Sequence, residues 1–169
     1  MVLTLRVIHI LAGVFWVGAA LVTAAFLIPT IRAVGPAGGP VMQHITQVRK
    51  LPRYIMGAGL LTVLSGIGLY SKASGGFTNA WMRSGPGTTF GIGGALALIA
   101  LSIGLFGAMP MAKRAGALAA TIAASGGPPS AEQAAEMKHL QQRAGSLTAL
   151  GSSLLVLATV AMAVARYIP

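Results

Sequence analysis

The stretch Val7–Pro29, VIHILAGVFWVGAALVTAAFLIP, decides the fold of this chain, because it is long and apolar enough to cross a bilayer. A transmembrane helix needs about 20 consecutive, mostly apolar residues. The stretch follows Arg6, and it is about twice as long as the apolar region of an ordinary signal peptide. We therefore expect a retained first membrane span rather than a cleaved leader.

The composition of the whole chain is that of an integral membrane protein. Hydrophobic residues make up 55% of it and charged residues 8%, and the mean hydropathy is +0.79. In an average soluble domain about a quarter of the residues are charged. The absence of cysteine excludes disulfides, iron–sulfur clusters and thiolate chemistry. The acidic residues are only Glu132 and Glu136, so paired-carboxylate chemistry inside a membrane is excluded as well.

Further apolar runs predict three more membrane spans, at about 51–71, 88–109 and 146–167. Pro52 stands at the start of the second span, where a helix tolerates proline. We expect Pro29 to close the first span and the Gly-Pro-Gly sequence at 85–87 to precede the third. The sequence therefore predicts an all-α fold: a four-helix transmembrane bundle with antiparallel neighbours, in which residues 1–169 form one integral membrane domain.

The two long connections between spans predict helices of their own. Residues 41–50 follow Pro40 and place their apolar side chains on one side, which predicts a short helix on the inner membrane surface. Ser130 begins the pattern Ser-Ala-Glu-Gln, in which Ser130 caps a helix and Gln133 bonds back to it. We predict one long final helix over about 131–166 that extends several turns beyond the membrane into the cytoplasm.

Basic residues are concentrated in the connections 30–53 and 110–145, which hold eight Lys and Arg residues against four elsewhere. Cytoplasmic loops carry such an excess, so we expect both connections inside and both termini outside. Tyr70, Trp81 and Tyr167 would then share the outer boundary, where aromatic residues are enriched. Because the basic residues lie beside apolar runs and are not interleaved with aromatic ones, they favour anionic lipid headgroups as partners, and not nucleic acid.

His9 is the only titratable side chain within the first span. An ionisable group inside a membrane is costly and usually functional. Gly13 and Trp16 follow on the same helical face, and Gly13 leaves a gap beside the imidazole that a flat macrocycle needs. Because imidazole is a common axial ligand of haem iron, we expect His9 to bind a b-type haem near the outer face. The alternative is a histidine that hydrogen-bonds to a neighbouring helix or to interfacial water.

A second axial ligand of such a haem would come from the outer side, because His44 and His139 are predicted on the inner side. The outer candidates are Met82, Met162 and Lys72. Met82, at the mouth of the third span, is the one that we favour. Arg83 or Arg6 would pair with a haem propionate, because a guanidinium matches a carboxylate well. A five-coordinate iron is the alternative.

Other motifs in the chain do not indicate a functional site. Glu136 and His139 have the Glu-x-x-His spacing of di-iron bundles, but the second such pair is missing, so we interpret them as a solvated helix surface. The glycine-rich stretch 91–94 has no preceding strand or following lysine, so it is not a nucleotide loop. Met42 and His44 are too few for a copper site. No serine nucleophile has a base beside it, so the sequence favours no enzymatic activity beyond a redox role.

The first span resembles the first helix of a broad group of bacterial membrane proteins with four or five helices. That helix has a leucine, a histidine four positions on, and then tryptophan-x-glycine after six residues, which here are Leu5, His9, Trp16 and Gly18. The ending Leu27-Ile28-Pro29 with Arg32 behind it, and the basic run 49–53, are similar too. The group includes copper-resistance D-type domains, uncharacterised four-helix integral membrane proteins and the membrane-bound protoporphyrinogen oxidase of bacteria.

This resemblance implies a protein of the bacterial inner membrane with a b-type haem held by His9. The oxidases have a lysine near the start of their third helix, where this chain has Arg83, and this difference argues against protoporphyrinogen oxidation. We therefore expect a haem b protein for electron transfer or a redox-linked step.

Two alternatives to a haem protein remain open. The first is a cofactor-free accessory or structural subunit of a larger membrane complex or homo-oligomer. It is motivated by the small residues spaced along the spans and by the scarcity of catalytic groups. The second is copper transport or tolerance, which rests on the resemblance alone, because the chain lacks a rich array of Met and His.

Overall fold

A computed structural model describes the backbone of residues 1–169 and every side chain except that of residue 36. All regular secondary structure in this part of the chain is helical. The helices are α1 (Val2–Ala33), α2 (Gly38–Gln43), α3 (Leu51–Ala73), α4 (Asn79–Met82), α5 (Gly85–Ala124) and α6 (Ala131–Val164). Of these, α1, α3, α5 and α6 are long and apolar enough to cross a membrane. The predicted all-α class and membrane-spanning helical bundle are confirmed.

The bundle consists of two closely packed helix pairs. α1 packs along α3, and α5 packs along α6, while the contacts of α3 with α5 and of α1 with α6 are looser. Both chain termini and α4 lie at one end of the bundle, which we call the terminal end, and α2 and the last turns of α5 lie at the other, the loop end. The buried core between the pairs comprises Trp16, Ala100, Leu101 and Leu155.

Small residues allow the helices to approach closely. Helices in a membrane gain little from burying apolar surface against one another, so tight packing matters more. Gly59 of α3 faces the Trp16 ring, and a Cβ on Gly59 would lie 2.9 Å from Cε2 of that ring. Gly93 of α5 lies against α6, and its Cβ would be 3.2 Å from the Ala158 carbonyl oxygen. A larger side chain at either glycine would push the helices apart.

Pro29 and Pro110 lie inside continuous helices, so the prediction that Pro29 closes the first span is wrong. A proline inside a helix removes one hydrogen bond, and its ring clashes with the carbonyl group four residues earlier. In both helices a π-helical segment ends two residues before the proline, at Leu27 and at Ala108. The wider π-helical turn contains the clashing carbonyl and moves it aside, so that the helix continues.

α5 consequently extends to Ala124, well past the boundary expected near residue 109. The residues after Pro110 are rich in alanine, the strongest helix former. The final helix begins at residue 131 as predicted, so the non-helical connection between the third and fourth spans is residues 125–130 instead of 110–130. The capping box at the start of α6 is present: Ser130 Oγ accepts a hydrogen bond from the Gln133 backbone N–H at 3.2 Å, and Gln133 Oε1 accepts one from the Ser130 N–H at 2.9 Å.

The short helix expected over 41–50 begins earlier in the structure. α2 starts at Gly38 and continues as the π-helical segment His44–Val48. Lys50 then adopts a left-handed backbone conformation with φ of 54°, which redirects the chain into α3. Gln47 reaches α5, where its Nε2 would lie 3.3 Å from a Cβ on Gly116. This segment therefore connects the α1–α3 pair to α5 at the loop end.

An aromatic cluster lies at the terminal end. The ring of Tyr70 on α3 packs edge-on against Trp81 of α4, with the two centroids 5.1 Å apart. The Tyr70 hydroxyl donates a hydrogen bond to the Gly87 carbonyl at 3.1 Å and so ties α3 to α5. Tyr167, which follows α6 at the same end, is 85% exposed. The aromatic residues expected at one membrane boundary thus lie at one end of the molecule.

Candidate functional site

His9 lies on α1 and faces α3, with its side chain half-buried. Its Nδ1 is 2.8 Å from the backbone carbonyl oxygen of Thr62. A carbonyl oxygen can only accept a hydrogen bond, so Nδ1 carries the hydrogen and donates it. When the imidazole is neutral, the lone pair therefore lies on its other nitrogen, Nε2.

Ser65 and Gly66 of α3 complete the surroundings of the ring. Ser65 Oγ lies 3.4 Å from Nδ1 and acts as a second, weaker acceptor, because its own hydrogen is directed to carbonyl groups of its helix. A Cβ on Gly66 would lie 3.0 Å from Cε1 and 3.2 Å from Nδ1 of His9. The missing side chain of Gly66 therefore provides the space for the imidazole, and α3 fixes the orientation of the ring.

Nε2 of His9 makes no hydrogen bond with any described residue. It is not sealed inside the protein either, because every buried side-chain nitrogen and oxygen in the described part of the chain has a partner. Nε2 is therefore accessible from outside the α1–α3 contact. Histidines that bind metals commonly have this arrangement, with one ring nitrogen donating to a backbone carbonyl and the other free for the metal.

Gly13 and Trp16 have other neighbours than the sequence suggested. A Cβ on Gly13 would lie 3.5 Å from the methyl group of Thr62, an ordinary van der Waals distance, so Gly13 faces α3 at Thr62 and not the imidazole. Trp16 is 2% exposed and belongs to the core, where its ring lies against Gly59. Trp16 and Gly59 form the close contact between α1 and α3, and the glycine that lies against the His9 ring is Gly66.

Met82 and Arg83 lie at the terminal end, away from the imidazole. Met82 ends α4 and is half-buried, and Arg83 behind it is exposed. Their segment packs beside Tyr70, whereas His9 lies opposite residues 62–66 of α3. These two levels of α3 are about 6–12 Å apart by the rise of an α-helix. The structure brings His9 together with residues of α3 and not with Met82 or Arg83.

The other two histidines lie at the loop end. His44 belongs to the π-helical segment after α2, and His139 lies on α6; both are exposed. Within the part of the chain that the structure describes, no group of three or more His, Cys, Asp or Glu side chains could hold a metal ion. The three described histidines are therefore not gathered at one site.

The neighbours of His9 on α3, Thr62, Ser65 and Gly66, were not predicted from the sequence. The available signal was weak: two hydroxyl residues and a glycine lie on one face of an otherwise apolar span, at spacings of three and four residues. Such a face is common in membrane helices, where Ser, Thr and Gly line many helix contacts. Only the register of α3 against α1 shows that it meets the histidine.

No protein family, curated protein or solved structure matches this chain.

Proposed function

We propose that this protein is a helical membrane protein that binds a b-type haem through Nε2 of His9, for electron transfer or a redox-linked step. The observation that supports the proposal is the 2.8 Å contact between Nδ1 and the Thr62 carbonyl oxygen, since it leaves the lone pair on Nε2. When bound, the haem iron would supply one-electron redox chemistry at a potential set by its axial ligands and surroundings.

The residues around the imidazole would act on the ligand without touching the iron. A hydrogen bond from Nδ1 to a carbonyl makes the opposite nitrogen a better ligand and fixes the plane of the ring. Because the acceptor belongs to the backbone of α3, no side-chain substitution at Thr62 removes it. The Thr62 hydroxyl is itself engaged with the Ala58 carbonyl at 2.8 Å.

Arg6 is the arginine best placed to pair with a propionate of this haem. It lies three residues before His9 on α1, where side chains share a helix face, and it is exposed. A guanidinium matches a carboxylate through two parallel hydrogen bonds. Arg83 lies further away, at the end of the bundle. We therefore favour Arg6 for this role, and we do not expect Met82 to hold the haem.

We further propose that the loop end faces the cytoplasm of a bacterial cell and that both termini lie outside. The support is the distribution of Lys and Arg residues. Eight of them lie in the two connecting regions at the loop end, and four lie at the terminal end. In this orientation His9, which lies near the start of α1, is close to the outer face of the inner membrane. The resemblance of the first helix to bacterial membrane proteins supports the same assignment.

The optical spectrum of the purified full-length protein tests the haem proposal. We expect a Soret band that shifts on reduction, and we expect His9→Ala to abolish it without unfolding the bundle. His139→Ala, which removes an exposed histidine at the loop end, is the matched control and should retain the band. Stoichiometric haem that survives His9→Ala would overturn the assignment, as would a colourless protein from cells supplied with haem precursors.

A second candidate function, a cofactor-free accessory subunit, is favoured by the same hydrogen bond considered as a structural link. His9 and Thr62 are 53 positions apart in the sequence, and their contact joins α1 to α3. In a protein of this kind, His9→Ala would lower the thermal stability and leave the spectrum unchanged. A stable, colourless complex with other membrane proteins would then support this function and exclude the haem.

A further inference from the structure

A cavity of about 1620 Å³ lies among the four long helices and opens at the loop end. Its floor is formed by buried residues such as Trp16 and Leu155, and its walls continue to the exposed Lys113 and Lys138. Along α6 the lining runs from Met137 to Leu155, about 27 Å by the rise of an α-helix. The volume exceeds the roughly 300–1,000 Å³ of an ordinary small-molecule pocket, and its dimensions suit a lipid.

The charged residues that line the cavity are all basic, namely Arg32, Lys113 and Lys138. Arg32 extends from α1 to α6, where its Nη2 donates a hydrogen bond to the Gln141 carbonyl at 2.9 Å. Its guanidinium lies directly on Gly145, because a Cβ at that position would collide with Nη2. The backbone of α6 thus holds one positive charge at the wall of an otherwise largely apolar space.

All three π-helical segments in the described chain contribute residues to this lining. They are Thr23–Leu27 of α1, His44–Val48 after α2 and Ile103–Ala108 of α5. π-helical turns are rare, and they are frequent at functional sites. Here they alter the course of three separate parts of the chain around one space. Their convergence indicates that the cavity is a built feature of the fold.

We propose that this cavity binds one anionic phospholipid, with its acyl chains against the apolar walls and its phosphate beside Arg32, Lys113 and Lys138. A neutral lipid or quinone would fill the apolar part but leave the three cations without a counter-charge. A second copy of this chain would add positive charge, since each copy carries a net charge of +10. A guanidinium binds phosphate with two parallel hydrogen bonds, which suits Arg32.

The fluorescence of Trp16, at the floor of the cavity, can report whether a lipid enters. Trp16 lines the cavity but is only 2% exposed, so a brominated acyl chain in the cavity would quench it at short range without direct contact, and the phosphatidylcholine titration measures the quenching by lipids outside the bundle. The protein has two tryptophans, and a Trp81→Phe background leaves Trp16 as the only fluorophore of this kind. The full-length protein in phosphatidylcholine nanodiscs would be titrated with brominated phosphatidylglycerol. We expect saturable quenching of Trp16, and little quenching by brominated phosphatidylcholine at the same mole fraction.

Substitutions then locate the binding site. Arg32→Gln should weaken the apparent affinity for brominated phosphatidylglycerol about five-fold, equivalent to about 1 kcal/mol. Arg53→Gln removes an exposed charge near the same end but outside the cavity, so it is the matched control and should leave the affinity unchanged. Gly151→Leu should abolish quenching by filling the floor, where a Cβ would meet only the Ala100 carbonyl oxygen at 3.9 Å.

Two results would overturn the proposal. Equal quenching of Trp16 by the two brominated lipids would show an apolar cavity without selectivity for anionic lipid. No quenching by either lipid would show that lipid does not enter, and that protein or closure of the helices fills the space. His9 does not line the cavity, but a haem bound to it would quench Trp16, which lies about 10 Å further along α1, so the titrations are made in the His9→Ala background.

Discussion

At the scale of single residues, the orientation of His9 is set from the opposite helix. Gly66 leaves room for Cε1 and Nδ1 of the imidazole, and the Thr62 carbonyl takes the hydrogen of Nδ1. Gly13, on the histidine's own helix, faces Thr62 of α3, where a Cβ would make an ordinary van der Waals contact. A ring held in this way has one nitrogen committed to the protein and one available to a ligand.

The stability of the bundle depends on a similar contact between a glycine and a large side chain at Gly59. A Cβ there would lie 2.9 Å from the Trp16 ring and 3.1 Å from the Leu101 side chain, both of which are buried. Gly59→Ala should therefore destabilise the bundle by about 1–3 kcal/mol through overpacking. The measurement is the thermal unfolding midpoint in a mild detergent.

Gly57→Ala is the matched control for this prediction. Gly57 lies on the same helix, and nothing is within 4 Å of the position that its Cβ would occupy. Replacing glycine by alanine inside a helix is otherwise favourable by about 0.5–1 kcal/mol, so this variant should be neutral or slightly more stable. If both variants unfolded at the same temperature, the tight contact between α3 and Trp16 would be contradicted.

His9 could be recognised from the sequence as a candidate site residue, but its neighbours on α3 could not, for a physical reason. An ionisable residue in an apolar run is conspicuous because burial of charge is costly. A backbone carbonyl that accepts its hydrogen bond is present at every position and gives no signal. The partners also lie 53 residues further along the chain, so the register of two helices decides which of them meet.

At the scale of elements, local signals located the start of α6 well and the ends of α1 and α5 poorly. A capping box is a contact between residues three positions apart, so the sequence contains all of it. The ends of α1 and α5 were misjudged because proline usually stops a helix. Here each proline follows a π-helical turn, and nothing in the residue types around Leu27 or Ala108 announces such a turn.

The capping box leads to a prediction about the extension of α6 beyond the core. Ser130→Ala removes the acceptor for the Gln133 backbone N–H and should cost about 1 kcal/mol at the start of the helix. We expect faster hydrogen exchange and faster proteolysis in the first turns after Ala131, with the membrane-embedded part unchanged. Ser146→Ala, which removes an exposed hydroxyl bonded only within α6, is the control. Equal exchange rates in the two variants would rule out a role for the cap.

At the scale of the whole molecule, the number of membrane spans could be predicted from the sequence and the cavity could not. The number of spans follows from hydropathy, since a run of about 20 apolar residues has few other stable locations. The cavity at the loop end could not be predicted in this way. It depends on how far α5 continues past Pro110 and on where Arg32 lies relative to α6, and both are tertiary properties.

The proposed orientation can be tested with single cysteines, because the native chain contains none. Ala80→Cys places a thiol on α4 at the terminal end, and Gly127→Cys places one between α5 and α6; both positions are exposed. In intact spheroplasts, a membrane-impermeant maleimide should label Ala80→Cys at once and Gly127→Cys only after lysis. The reverse pattern would place the basic loops outside and refute the orientation.

The π-helical segment Ile103–Ala108 also has a consequence for how this chain can be compared with others. A turn closed by i→i+5 bonds holds one more residue than a turn closed by i→i+4 bonds. Each residue added to a helix rotates everything after it by about 100°. The π-helical turn takes up such a residue within the turn, so loss of one residue here would restore an α-helical turn and leave Ala112 and Gly116 on the face that lines the cavity. A one-residue gap at this point of an alignment is therefore compatible with the same core and the same cavity lining in a homologue.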